Sequence, residues 1–591
     1  MLVLLLPLAL GIAPVDDVAR LVAARPPARD QAALARAFNR VRTQLPAATP
    51  ATRIGDTEQL WVADIVAARQ VPVIAELRYA DANIRMLFDT SARINQQTID
   101  SAAARISATL LPALRVRLDA PRDPRPITIL HTRLRGAAGY FTPENLLSQA
   151  VNPFSNERLM IVMTLNDLTL GSQAYDATIV HELTHLIDSV RGGHNGSWIA
   201  EGLAVYSEDE QGIGGNGFAR AYLTNADLQL TSWSLESGRS TRHYGAAQLF
   251  MRYVAEQYGT APLRALLAVD GNDAERVLVR AAQQRHPDIA SFADLYADWA
   301  VANVYEGAAA RFRYALRPER ARSVAVTAGQ SAGIVPQFGA QYLALNGPLT
   351  LTFRGAQEVS LTGAPPPGGQ WAWWSQRGDE RATTLTRTLD LRRVARATLT
   401  MRVWHALERD YDYAFVSASS DGGRSWRTLA GATTVTTSPQ GTNYGDAFTG
   451  LSGAQGSLSA PGIARWLDER FDLTPYAGRQ VQLRFWVATD ASVNGPGVLI
   501  DDLAVPEIGW RDDVERGDAG WQAAGFVRAG ATLPQRWILR LVRPDRIERI
   551  VVDAAGLAKL RLAAGERATL LIAGATPLTT EPARYAITTE P

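Results

Sequence analysis

The segment His181-Glu182-Leu183-Thr184-His185 constrains this chain of 591 residues more than any other. Residues four apart on a helix lie about 40° from each other around the axis, so both imidazoles leave one face and can hold a single Zn²⁺. Glu182, beside the first histidine, can reach a metal-bound water and take its proton. The arrangement works only on a helix, and the flanks predict one over about 173–191. Ser172 or Asp176 can cap its start, and Gly192-Gly193 supply the stop. At about 100° per residue, Ile179, Leu183, Leu186, Ile187 and Val190 fall together, while Thr178, His181, His185 and Asp188 face the other way. The histidines avoid the apolar stripe. That argues against two satisfied core histidines and leaves a metal site or a solvated polar face.

A catalytic zinc site takes three protein ligands and keeps one position open. The stretch from Ser197 to Ala204, SWIAEGLA, follows a glycine-rich turn and predicts a second short helix antiparallel to the first. It offers Glu201 as third ligand, with Gly202 letting the two helices approach and Trp198 packing at their junction. His194 is the alternative third ligand. A metzincin site fails on the residues. It wants Gly and His three and six positions after the second His, where this chain has Asp188 and Arg191.

HELTH followed, after fifteen intervening residues, by the Glu of WIAEGLA resembles the peptidase-MA-like (gluzincin) zinc metallopeptidases, in a subgroup with a short gap. The resemblance implies an α+β peptidase domain with strands before the metal helix and more helices after it. An edge strand beside the cleft would hold extended substrate by main-chain hydrogen bonds, and Leu159–Leu165 is the expected strand. The resemblance also implies an oxyanion donor at the start of a later helix. Tyr244 in Thr241-Arg242-His243-Tyr244 is that expectation, with His243 as substitute; Tyr206 reads as core. Asp188, one turn after His185, either orients a ligand or is an ordinary residue of the last turn.

Charge excludes one class of partner. The 60 basic and 59 acidic residues give a net charge of +1, and no basic stripe points to nucleic acid. With no cysteine, disulfides and a lipid-anchored cysteine are excluded. Residues 1–14 begin MLVLLLPLALGIA, an apolar run of signal-peptide type and too short for a stable membrane span of about 20 residues. Secretion is the expected localisation.

Residues 15–52 read as a helical lead-in or pro-segment with a linker, and 53–322 as the metallopeptidase domain, with strands at 59–63, 71–79 and 127–131 and a helix over about 96–114. After about Arg320 the pattern changes to alternating strands and Gly-rich turns. WAWWS (371–375), DYDYAFVSASSDGGRSW (410–426), FDLTPYAGRQVQLRFWVATD (471–490) and GVLIDDLAVPEIG (497–509) resemble the C-terminal jelly-roll module of immune-inhibitor-A-type secreted metalloproteases. Residues 366–531 are thus expected as a jelly roll inserted in a β-sandwich made from 323–365 and 532–591.

The expected fold class is multidomain: an α+β gluzincin-like metallopeptidase domain followed by all-β sandwich modules. Asp501 and Asp502 are the first candidates for structural Ca²⁺, with Asp379, Asp410 and Asp412 behind them. The expected function is a secreted Zn²⁺ endopeptidase acting on protein or peptide, with Glu182 as general base. The alternative is an adhesive protein whose β modules bind a glycan or cell-surface ligand and whose peptidase domain is secondary.

Overall fold

The computed structural model describes residues 17–41, 51–166, 168–234, 236, 238–326, 329–459 and 461–590. The apolar run at 1–14 lies outside them. Mixed helix and sheet up to about residue 312 give way to strands from Val324 onward. No helix of the described residues is long and apolar enough to cross a membrane.

Six strands form the first sheet: β1 (Thr57–Asp64), β2 (Arg69–Ala80), β3 (Ile84–Asp89), β4 (Ile127–Thr132), β5 (Gly139–Phe141) and β6 (Met160–Thr164), in the order β1-β2-β3-β4-β6-β5. β3, β4 and β6 are parallel, and the helical stretch Gln96–Leu118 makes the crossover from β3 to β4. β4 and β6 read ITILHT and MIVMT and are buried at every position, as strands covered on both faces must be. Ile129, Ile161 and Met163 pack against the helices, while Leu130, Met160 and Val162 meet Leu60, Val62 and Leu77 on the other face.

The free edge is not where the sequence placed it. β6 pairs with β4 on one side and β5 on the other, so Leu159–Leu165 is interior. β5, three residues long, is the edge at that end of the sheet among the described strands.

The HELTH helix spans Gln173–Val190, and Ser172 Oγ caps it by accepting from the Tyr175 N–H at 3.2 Å. Asp176 is buried instead and pairs with Arg105. Ile179, Leu183, Leu186 and Ile187 enter the core, but Val190 is 44% exposed, because the helix outruns its packing in the last turn. The next helix, Ser197–Glu210, carries Glu201. Its Gly202 makes a close approach, though to a different partner than expected. A Cβ there would meet Met251 and Ala247 at 3.0–3.2 Å, on the helix Arg239–Tyr258. The Trp198 ring packs on those of Phe250 and Phe292.

In the second half, strands from both sides of the central stretch share sheets. Ala340–Asn346 pairs with Arg567–Gly574, and Leu349–Gly355 lies between Leu557–Leu562 and Ala583–Glu590. Glu358–Ser360 pairs with Thr532–Pro534 where the chain leaves and returns. Between them, a six-stranded and a five-stranded sheet close over Leu385, Val403, Val416, Phe471, Leu483 and Ile500.

The lead-in is built into this β half. Val18 and Leu21 join a core with Trp374 and Trp404, and Leu34 and Phe38 join another with Phe415 and Trp486. The Phe38 ring lies 5.3 Å from those of both Phe415 and Trp486. Burying one such ring is worth about 2–3 kcal/mol.

Candidate metal centre and its surroundings

His181 and His185 leave the polar face of their helix with ring centroids 4.8 Å apart. The antiparallel helix brings Glu201 across to them. Glu201 Oε2 stands 3.0 Å from His181 Nε2 and 3.6 Å from His185 Nε2. One donor atom from each residue falls within 4.8 Å of the others. Tetrahedral zinc with bonds of about 2.0–2.1 Å places its ligand atoms roughly 3.3 Å apart. The spacings of 3.0 and 3.6 Å bracket that value, so these residues fit the ion.

The charges follow from the geometry. Burial opposes protonation of His181, but its hydrogen bonds to Glu201 and Glu208 win and hold it well above its ordinary value. Burial likewise opposes ionisation of Glu201, yet His185 and His181 hold its carboxyl far below the usual range. The His181 imidazole thus holds positive charge against the Glu201 carboxylate, where a divalent cation would sit.

Glu182 is 6% exposed. Burial is the largest influence on it and pushes its carboxyl up, against the opposing pull of His181 and His185. β5 runs alongside: a Cβ on Gly139 would lie 2.9 Å from Thr178 Cγ2 and 3.2 Å from Glu182 Cγ. Only a glycine lets the edge strand pass this close to the carboxylate that would move protons.

Tyr244 comes to the cluster from the first turns of Arg239–Tyr258, its ring 6.0 Å from that of His181. Phe218 stacks on it at 5.0 Å and Trp233 meets it edge-on at 5.0 Å, which fixes the ring. Burial first, then the carboxylates of Glu201 and Glu182, push the phenol well above its ordinary value and keep it a neutral O–H donor. His243 is turned elsewhere. It is buried with its ring 5.2 Å from Trp233, and burial beside Arg242 pulls its pKa down to about 3.

Two further candidates take other roles. His194 bonds Glu380 through Nδ1 at 2.7 Å, outside the cluster. Asp188 is buried against Gly193 and accepts weakly from Asn195 Nδ2 at 3.4 Å; burial raises its pKa to about 6. Tyr206 is core, as expected. The residue the sequence reading missed is Glu208. Its Oε1 lies 2.8 Å from His181 Nδ1, so it fixes that nitrogen as the protonated one and turns Nε2 toward Glu201. Glu208 stands seven residues after Glu201, two turns along one helix face, and that spacing is the signal that could have revealed it.

In the β half, Asp501 is fully buried on the strand Gly497–Val505. Its Oδ1 accepts from the Asp502 N–H at 2.7 Å, while Oδ2 has no partner among the described residues. Burial pushes its pKa up to about 7. Asp502 differs, since Arg511 and Arg402 stand 3.2 and 3.6 Å from its carboxylate. Asp412 is closed by the N–H groups of Asp490 and Glu408.

Residues 354–531 match the family described as Immune inhibitor A-like, MAM domain. The chain is 29% identical over 172 residues to the pre-pro-metalloprotease PrtV of Vibrio cholerae serotype O1 (strain M66-2), covering 29% of this chain and 17% of that protein. It is 26% identical over 171 residues to Immune inhibitor A of Bacillus thuringiensis subsp. alesti, covering 28% of this chain and 22% of that protein. Bacillopeptidase F of Bacillus subtilis (strain 168) is 26% identical over 109 residues, 18% of this chain and 6% of that protein. The chain therefore spans less than a quarter of each of these relatives, and the likeness lies in its C-terminal part.

Proposed function

We propose that this chain is a secreted zinc-dependent endopeptidase of gluzincin type. The observation that carries the reading is the convergence of His181, His185 and Glu201 donor atoms within 4.8 Å, with Glu182 buried beside them. The metalloprotease name of a relative supports it from the other half of the chain.

Zinc held by His181, His185 and Glu201 would polarise the scissile carbonyl and lower the pKa of a water toward neutrality. The chain's own groups do the rest. Glu182 accepts the proton of the attacking water and returns it to the leaving amine; burial suits its carboxyl to both steps. Tyr244 donates its O–H to the oxyanion that develops on the carbonyl. Glu208 keeps His181 in the tautomer whose Nε2 lone pair is free for the metal. β5, unpaired on its outer side among the described residues, offers main-chain groups to an extended peptide next to Glu182.

The test is hydrolysis of casein by the purified protein. Activity should vanish with a zinc chelator and return with Zn²⁺. Undiminished activity in the chelator sinks the reading, and inactivity with zinc bound favours the adhesive alternative.

We also propose that Asp501 belongs to a structural calcium site, which its Oδ2, without a partner among the described residues, supports. Its pKa is raised from 3.8 to about 7, so the fold favours the neutral form. Without a cation, stability should fall as pH rises through that window and stay lower above it. At pH 8, calcium should raise the melting temperature of the wild type. Asp501→Asn should ignore calcium yet melt above the wild type in a calcium chelator. A calcium response retained in Asp501→Asn places the ion elsewhere.

A further inference from the structure

The helix that carries Glu201 begins without a cap of its own. Its N-cap residue is Gly196, which has no side chain, and its first turn contains no acidic residue. The leading N–H groups of a helix have no partner within it and must find one outside. Here the acceptor comes from 182 residues further along the chain. Asp379 Oδ2 accepts from the Ser197 N–H at 2.8 Å and from Ser197 Oγ at 2.7 Å. Its Oδ1 accepts from Asn494 Nδ2 at 2.7 Å. Asp379 and Ser197 are each only 4% exposed, so neither contact is shared with bulk water. The Val493 N–H also reaches Ser197 Oγ, at 3.4 Å.

The neighbours of Asp379 bind the same region. Glu380 Oε2 meets His194 Nδ1 at 2.7 Å, and Arg381 Nη1 donates to Asp270 Oδ1 at 2.7 Å. Residues 191–196 link the helix of the two histidines to the helix of Glu201, so this loop sets the distance between them. Glu201 follows Ser197 by four residues and lies on the same helix face one turn on. An anion at a helix N-terminus is also favoured by the helix dipole.

We propose that Asp379 is a positioning residue for Glu201, so that the jelly-roll module completes the metal centre by capping the helix of the third ligand. This rests on the zinc reading above. The experiment compares Asp379→Ala and Arg381→Met with the wild type. Arg381→Met removes a contact of the same docking face that does not touch Ser197. Zinc affinity is read by chelator competition, and kcat and KM are measured separately. Asp379→Ala should weaken zinc about 10- to 100-fold, as loss of a group that orients a ligand does. Its kcat should fall with KM little changed, and Arg381→Met should bind zinc as the wild type does. Asp379→Asn keeps an acceptor oxygen and should show a smaller loss in the same direction; it also stands in if Asp379→Ala does not fold. Wild-type zinc affinity in Asp379→Ala, or in Asp379→Asn in its place, overturns the proposal. So does an equal loss in Arg381→Met, which would mean that Asp379 acts only by docking the module. A wild type that binds no zinc overturns the zinc reading instead, so the two failures are distinguishable.

Discussion

Glu182→Gln should keep its zinc and lose peptide hydrolysis by about 10³-fold, which is roughly 4 kcal/mol of barrier at 1.36 kcal/mol per decade. Glutamine has nearly the same shape, so the packing of Glu182 Cγ near Gly139 and Thr178 survives the change. The amide cannot accept the proton of the attacking water or hand one to the leaving amine. It also removes a buried carboxyl group that burial already pushes up, so the fold loses nothing and should gain a little stability at neutral pH. The measurement pairs zinc content with casein turnover. Zinc at wild-type stoichiometry with turnover within tenfold of the wild type would remove Glu182 from the mechanism.

How far the site was legible depends on how local each part is. His181 and His185 lie four residues apart with Glu182 beside the first, so spacing alone gives the histidines their shared face. Glu201 lies one connection away, and the glycine-rich turn before it gives the direction of return. Tyr244 came through resemblance; composition around it shows only an aromatic on a helix. Glu208 carried a signal in its seven-residue spacing from Glu201, but reading it requires knowing which face of the helix meets His181. Asp379 carried none, because its contact with Ser197 exists only once the β module docks.

The fold divides the same way. β4 and β6 are largely apolar runs and read as strands. β5 is the three residues GYF, too short for any period to show, and its absence from the sequence reading passed the edge to β6. β3, IRMLFD, lacks the alternation of a half-buried strand because it is buried at most of its positions. Gly202 was recognised as a close-packing residue, but the helix it meets most closely is Arg239–Tyr258. Sequence shows that a glycine permits approach, but which helix approaches is decided by the tertiary packing on Met251 and Phe250.

The ranking of zinc affinities among variants separates a ligand from a residue that orients one. Glu201→Ala should lose stoichiometric zinc, since two imidazoles alone do not make the three-ligand site a catalytic zinc requires. Glu208→Gln should retain zinc with an affinity lower by about 10-fold, the small end of the range for partners of a ligating histidine, because the amide oxygen can still accept from His181 Nδ1. What Glu208→Gln loses is the negative charge that makes the imidazole a stronger donor. Zinc titration of both variants against a competing chelator gives the order. If Glu208→Gln loses zinc as completely as Glu201→Ala, Glu208 is itself a ligand and the half-site must be redrawn around His181. Should Glu201→Ala hold zinc at wild-type affinity, the 3.0 Å contact between Glu201 and His181 is only an ion pair, and the third ligand lies elsewhere.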